Sequence, residues 1–193
     1  MAYLIFRKGW RLLGLVFPIL YILTSREITL FYTSVTLGIF LLGDLFRFLN
    51  SDFNHWLFIR FKLILKAEEK KRFLTTTTTF LISSLLTIIF FKKEVAIYSL
   101  SFLVIGDAAS ALIGTYVGRI KIKNKSLEGS LAFFITCLIS AALLNKLSKL
   151  SLPLPVLLIG ALTGAVVEVL PLPWDDNFTI GLSCGIVMTI ILR

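Results

Sequence analysis

Seven apolar segments separated by short charged turns constrain this 193-residue chain more than any other feature. They run about Leu12–Leu23, Ile28–Gly43, Phe73–Phe91, Val95–Val117, Ser130–Asn145, Pro153–Leu170 and Phe178–Leu192. A bilayer core of about 30 Å takes roughly 17–25 helical residues to cross. The first segment is short and the second and fifth are marginal. The composition agrees: 57% of residues are hydrophobic and 16% charged, against roughly 45–50% and 25% in soluble domains. The expected architecture is all-α, a polytopic integral membrane protein of about seven transmembrane helices. Residues 1–193 read as a single membrane-embedded domain. Between the second and third spans, His55–Lys66 mixes aromatic and aliphatic residues with Arg60, Lys62 and Lys66, which predicts an interfacial amphipathic helix. It belongs to a cytoplasmic interfacial segment, 44–72.

Charge fixes the orientation. The chain has 20 Lys+Arg against 11 Asp+Glu, a net charge of +9. In the seven-span reading, one side receives Arg7, Lys8 and Arg11, the seven cations from Arg47 to Arg72, and Arg119, Lys121, Lys123 and Lys125. The other receives Arg26, Lys92, Lys93, Lys146, Lys149 and Arg193. Cytoplasmic loops carry the excess of Lys and Arg, so the N-terminus is expected in the cytoplasm and the C-terminus outside. Trp10, Trp56 and Trp174 fall near the same interface, as an aromatic belt does. The excess charge reads as orientation plus a phosphate site, not as affinity for nucleic acid.

Several chemistries are excluded by counting. Cys137 and Cys184 both lie in apolar runs, so neither a disulfide framework nor a thiolate metal cluster is expected. His55 is the only histidine, which removes His-ligated zinc and His-based triads; on its aromatic stretch it reads as interfacial. Pro18 interrupts the first apolar run and no small-residue cleavage site follows, so a cleaved signal peptide is not expected. Carboxylates, Lys, Arg, hydroxyls and backbone must carry any reaction.

Two acids fall inside apolar segments, Asp107 in the fourth and Glu168 near the end of the sixth. An ionisable group in a span costs a few kcal/mol, so it is paired, hydrated or functional; a structural bond between helices is the plainer reading. Asp107 opens the most informative block of the chain, Gly106 to Ser130. Small residues at Gly106, Ala109, Ala111 and Gly114 allow a backbone or a ligand to approach closely. The basic run Arg119, Lys121, Lys123, Lys125 and Ser126 follows, and with the amides around Gly129 at a helix start it forms a phosphate cradle by charge and helix dipole. There is no Walker A pattern and no Rossmann glycine fingerprint. Gly114 and Gly118 equally fit a packing motif, the reading accepted for Gly160/Gly164 and Gly181/Gly185.

Gly106-Asp107-Ala108-Ala109-x-Ala111-x-x-Gly114, then Gly118-Arg119 and Lys125-Ser126-Leu127-Glu128-Gly129-Ser130, resembles the signature of the dolichol kinase, phytol kinase and CTP-dependent diacylglycerol kinase family. Asp44-Leu45-Phe46-Arg47, Glu68–Arg72 and Asp175-Asp176-Asn177 follow that family's order. The resemblance implies a polytopic membrane enzyme that phosphorylates a lipid alcohol (a polyprenol such as dolichol, a phytol-like isoprenoid alcohol or diacylglycerol), typically from CTP. It places the CTP site in the Lys125–Gly129 loop. The chain departs from the family twice: Arg11 stands where members often carry a histidine, and Thr75–Thr79 replaces a Thr-Gly-x-Thr-like segment. The threonine run reads as a helix start whose hydroxyls bond back to the backbone.

Phosphoryl transfer needs cations on the transferring group, a metal bridging nucleotide oxygens and a carboxylate for the attacking hydroxyl. The expected catalytic residues are Asp107, Lys125 and Asp176. Expected around the nucleotide are Gly114, Gly118, Arg119, Lys121, Lys125, Ser126, Glu128 and Gly129. Magnesium, which prefers oxygen ligands, is expected at Asp107, Glu128, Asp175 and Asp176, with Asp107 either metal ligand or base. Asp175 equally fits a helix cap. Asp44, Arg47, Glu168 and Asn177 are further candidates; Asp44 and Arg47 have the i,i+3 spacing of a local ion pair. The expected partners are CTP, a membrane lipid alcohol and the bilayer, with a homo-oligomer open. The expected location is the plasma membrane of a prokaryote, or an endoplasmic-reticulum-type membrane of a eukaryote, with the site facing the cytoplasm. Two alternatives stand beside this reading. A phosphatidate-type cytidylyltransferase shares the Asp…Lys-Ser-x-Glu-Gly block but its terminal His-Gly-Gly…Asp-Arg signature is absent here. A small ion-coupled transporter would use Asp107 and Glu168.

Overall fold

Short polar side chains start the helices by accepting from amides that have no intrahelical partner. Ser25 Oγ accepts from Ile28 N (3.4 Å), Asn50 Oδ1 from Phe53 N (2.9 Å), Thr75 Oγ1 from Thr78 N (3.4 Å) and Asp175 Oδ1 from Asn177 N (3.0 Å). The computed structural model describes residues 6, 9–62, 64–65, 67–123, 125–147, 150–170 and 175–193, apart from the side chains of 67 and 68. The expectations placed on Arg7, Lys8, Lys66, Lys149, the Glu68 side chain and Trp174 lie outside the described residues.

The elements run α1 (Gly9–Leu23), α2 (Arg26–Leu49), α3 (Ser51–Arg60), a 3-10 turn (Ala67–Lys71), α4 (Thr76–Phe90), α5 (Lys93–Tyr116), a hairpin of β1 (Lys121–Ile122) and β2 (Lys125–Ser126), α6 (Leu127–Leu147), α7 (Leu154–Val169) and α8 (Asp176–Ile191). Three of these, α2, α5 and α6, are long and apolar enough to cross a membrane; α1, α4, α7 and α8 are shorter apolar helices. The protein is thus helical apart from the antiparallel pair Lys121↔Ser126 and Ile122↔Lys125, which the sequence reading did not foresee. Lys123, in its turn, has φ of 54°, the left-handed conformation that tight hairpin turns demand.

Helix α2 runs past Gly43 to Leu49, so Asp44 and Arg47 lie in its last turns and not in a loop. The interfacial stretch also differs from its expected limits: Asn50 caps a helix that begins at Ser51 and ends at Arg60, and residues 61, 62, 64 and 65 lie in turns or bends.

Helix α5 is the central element, with 72% of its span window buried. Val95, Tyr98, Phe102 and Leu103 pack there against Phe133 and Cys137 of α6, Val156, Leu157 and Ala161 of α7, and Ile180, Cys184 and Met188 of α8. Glycines set these distances. The Phe133 ring, fully buried, lies so close to Gly106 of α5 and Gly164 of α7 that a Cβ at either would come within 2.5 and 2.6 Å of it. Gly160 meets Met188 and Gly185 meets Phe91 as closely, so Gly160/Gly164 and Gly181/Gly185 are packing motifs, as expected. The hydrogen bonding of α5 widens to a π segment over Phe102–Gly106, immediately before Asp107.

The turns collect at two ends. At one, Arg26 donates to the carbonyls of Ile88 and Ile89, Lys93 Nζ to Thr24 O (2.8 Å), and Tyr98 to Asn145 and to Leu150 O (3.2 Å). The other carries Arg11, Asp44, Asp107, Lys125, Glu168 and Asp176. Because Phe133 fills the space left by two glycines, Phe133→Ala opens a cavity no neighbour can collapse into. It is expected to destabilise the protein by about 3–5 kcal/mol, read as a lowered unfolding midpoint in detergent.

Candidate functional site

Five segments far apart in sequence bring their charges together at this end. From α1, Arg11 donates to Asp107 Oδ2, an ion pair across 96 residues of chain. From β2, Lys125 Nζ donates to Asp176 Oδ2 (2.8 Å) and to the Glu168 carbonyl (2.6 Å), and stands 3.6 Å from Glu168 Oε1. Ser110, one turn after Asp107, donates to Glu168 Oε1 (3.1 Å). Glu168 therefore links the Asp107 helix to the Lys125 loop. Arg11 in turn lies within electrostatic reach of Asp175 and Asp176, and Glu168 within reach of Asp107 and Asp176.

The basic loop is braced from inside. Glu128 accepts from the amides of Arg119 (3.0 Å) and Ile120 (3.1 Å), and Lys121 Nζ donates to Gly114 O (2.9 Å). Ser126, buried, accepts from Gly129 N (3.1 Å) as the cap of α6. A Cβ at Gly114, Gly118 or Gly129 would come within 2.8, 2.5 or 3.1 Å of its hydroxyl. The expected nucleotide residues are thus assembled in one place but divide in role. Gly114, Gly118, Ser126, Glu128 and Gly129 build the turn, while Arg119, Lys121 and Lys123 stand exposed around it. Ser130 donates to Ala165 O (2.6 Å) and ties the loop to α7.

Among the described residues, no group of three or more His, Cys, Asp or Glu side chains is arranged to hold a metal. Asp175 Oδ1 caps α8, accepting from Asn177 N and from Asn177 Nδ2 (2.7 Å), and Glu128 is turned to backbone amides. One carboxylate oxygen does fit a cation: Glu168 Oε2 is buried and has no hydrogen-bond partner among the described residues. Magnesium is usually held by one or two carboxylates plus substrate phosphates, so a protein cage of three ligands is not required.

Asp44 and Arg47 form the expected i,i+3 ion pair (3.2 Å), in a second nest. Asp44 Oδ2 accepts from Thr75 N (2.8 Å) and from the hydroxyls of Thr75 (3.2 Å) and Thr78 (2.6 Å). Arg47, 1% exposed, donates to the carbonyls of Glu69, Arg72 and Phe73 (3.2, 2.9 and 3.0 Å). The pair clasps the 61–75 connection to the end of α2. The threonine run starts α4 as expected, with Thr79 bonding back to Thr75 O (3.1 Å), and Thr76 also donates to buried Glu69. His55 is exposed and lies 2.9 Å from Lys70 Nζ. Sequence reasoning missed Arg11, Ser110 and Glu69 as neighbours of the site. Arg11 left one signal, its departure from the family pattern.

The chain is 34% identical over 125 aligned residues to the CTP-dependent diacylglycerol kinase 1 of Saccharomyces cerevisiae, a match that covers 52% of this chain and 43% of that protein. The chain therefore spans less than half the length of the curated relative it matches. No family model matches the chain, and no solved structure matches it.

Two substitutions test the geometry. Arg47→Ala leaves Asp44 as a buried charge without its cation and is expected to cost about 3–5 kcal/mol of stability, measured by thermal unfolding in detergent. Gly118→Ala drives a methyl group into Ser126 and is expected to weaken CTP binding at least tenfold by calorimetry, with the helical circular dichroism unchanged. The chain is a homologue of a CTP-dependent diacylglycerol kinase, which supports its resemblance to the dolichol, phytol and diacylglycerol kinase family.

Proposed function

We propose that this protein is a CTP-dependent kinase that phosphorylates a membrane lipid alcohol, a polyprenol, a phytol-like isoprenoid alcohol or diacylglycerol, at the cytoplasmic face of its membrane. The observation that carries the reading is the convergence of the Arg11–Asp107 pair with the Lys125–Glu168–Asp176 cluster at one end of the helices. The diacylglycerol kinase relative supports it. Transport does not require such an arrangement, a ring of cations beside carboxylates of which one is held by an arginine.

Each side chain then has a task. Asp107, oriented by its ion pair with Arg11, accepts a hydrogen bond from the lipid hydroxyl and takes its proton as the oxygen attacks the terminal phosphorus of CTP. The bond from that phosphorus to the bridging oxygen breaks, and CDP leaves. Lys125 and the exposed Arg119, Lys121 and Lys123 neutralise the triphosphate, the demand that dominates phosphoryl transfer. Asp176 and Glu168 hold Lys125 in position. Magnesium, when bound by Glu168 with Asp107 or Asp176, would supply charge neutralisation between the nucleotide oxygens. Gly114, Gly118, Ser126, Glu128 and Gly129 act through the shape of the loop.

The test is purified full-length protein with magnesium, γ-labelled CTP and a panel of lipid alcohols. Label is expected in a lipid monophosphate. Pyrophosphate release with a CDP-lipid product would replace this reading by the cytidylyltransferase one. Asp107→Asn, which keeps shape but not charge, is expected to lower kcat by about 10²–10⁴-fold with CTP binding retained. An Asp107→Asn enzyme of full activity would remove Asp107 from the chemistry.

A further inference from the structure

Two cavities adjoin the Asp107 end. The first, about 250 Å³, runs between α1, α4 and the π segment of α5, walled by Leu13, Phe17, Phe80, Leu81, Leu103 and Val104. Its polar lining comes chiefly from Arg11, Asp107, Glu69 and Asn177. The second, about 330 Å³, lies beneath α3 and the 61–65 turn and is almost wholly apolar, with Phe53, Leu57 and Phe61 in its wall. Trp10, Phe40, Ile64, Leu65 and Thr77 line both. The two adjoin at these shared residues, and the cleft they make up is mostly apolar, with polar groups at the Asp107 end and along the Asp44–Arg47 rim.

We infer that this cleft is the acceptor site, with the lipid hydroxyl at Asp107 and the hydrocarbon passing Trp10 and Phe40 into the lobe under α3. The inference rests on the kinase reading and adds to it the residues that receive the lipid. Three observations favour a lipid from the bilayer over a water-soluble alcohol. The walls are apolar and aromatic, as sites for greasy ligands are. The outer lobe is roofed by a helix whose Trp56 and Ile59 are exposed beside Arg60, the composition of a segment lying in the membrane interface. The inner lobe ends on a carboxylate and an arginine, the groups that a hydroxyl acceptor needs and a hydrocarbon does not. The acidic Asp44 at the outer rim is fully engaged with Arg47, Thr75 and Thr78, so it presents no open charge to the chain.

A glycine provides the test. Gly43 lines the outer lobe, and a Cβ there meets nothing within 4 Å. Gly43→Phe therefore starts a bulky side chain in open space at the wall of the lobe, and removes a helix-interior glycine. Gly38, on the same helix and equally open, lines neither cavity, so Gly38→Phe is the control. With dioleoylglycerol and dioctanoylglycerol as acceptors, Gly43→Phe is expected to shift selectivity toward the shorter chains by about tenfold or more, through KM for the long-chain lipid. KM for CTP should not follow, and Gly38→Phe should keep the wild-type ratio. An unchanged ratio in Gly43→Phe overturns the inference, as does an equal shift in both variants. If Gly43→Phe does not fold, photolabelling of the wild type with a diacylglycerol carrying a diazirine at the chain end decides. Label is expected on Phe53, Leu57 or Phe61; label confined to the outward residues Leu131, Ile135 and Ile139 of α6 overturns it. Labelling needs no turnover, so a wild type that phosphorylates no lipid alcohol sinks the kinase reading separately from the cleft.

Discussion

A carboxylate in the middle of an apolar helix has to be answered by another charge, and here Arg11 answers Asp107. Taking either group out of water alone costs several kcal/mol, and their attraction offsets that only at close range with good geometry. The requirement reaches well beyond the two residues. It brings α1 against α5, places the 3-10 turn Leu13–Leu15 beside Phe80 and Val104 through Gly14, and closes one wall of the cleft that ends at the pair. The π segment at Phe102–Gly106 sits one residue before Asp107; such bulges change the direction in which the following side chains point and recur at functional sites.

Close packing makes room for this polar end. Gly106, Gly160, Gly164 and Gly185 let α5, α7 and α8 approach Phe133, Met188 and Phe91 with no Cβ between them. Between apolar helices in lipid, van der Waals fit replaces the hydrophobic drive that holds soluble cores. The core is therefore dense around Phe133, and the cavities lie on the other side of α5, against α1 and α4. Rigidity on one flank and space on the other are what the proposed lipid-acceptor site would require.

Much of this was legible in the chain because hydrophobic runs and local spacing are one-dimensional signals. The apolar segments marked the helices to within a few residues. The i,i+3 spacing of Asp44 and Arg47 gave their ion pair, and the threonine run gave a helix start. The Gly106–Ser130 block gathered the residues that the tertiary structure also gathers. One error concerns a helix limit. Helix α2 continues through Asp44 and Arg47 because their charges are satisfied by residues 69–78, which no window on α2 contains. Glu128 and Asp175, the expected metal ligands, are a separate matter: both also accept from amides of neighbouring turns, a contact that a carboxylate's place in the sequence does not reveal.

The sequence by itself determined that the chain is helical and apolar, that its cations gather in particular turns, and that Asp107, Lys125 and Asp176 are the residues to watch. These follow from composition, periodicity and a resemblance carried by contiguous residues. Only the tertiary structure decided which charges face one another. Arg11 meets Asp107 across 96 residues, and Lys125 meets Glu168 and Asp176 across 43 and 51. It alone showed a cleft at that junction, walled by segments far apart in the chain. Coulombic pairing and enclosed volume depend on distance in space, and a linear pattern of side chains carries no measure of it.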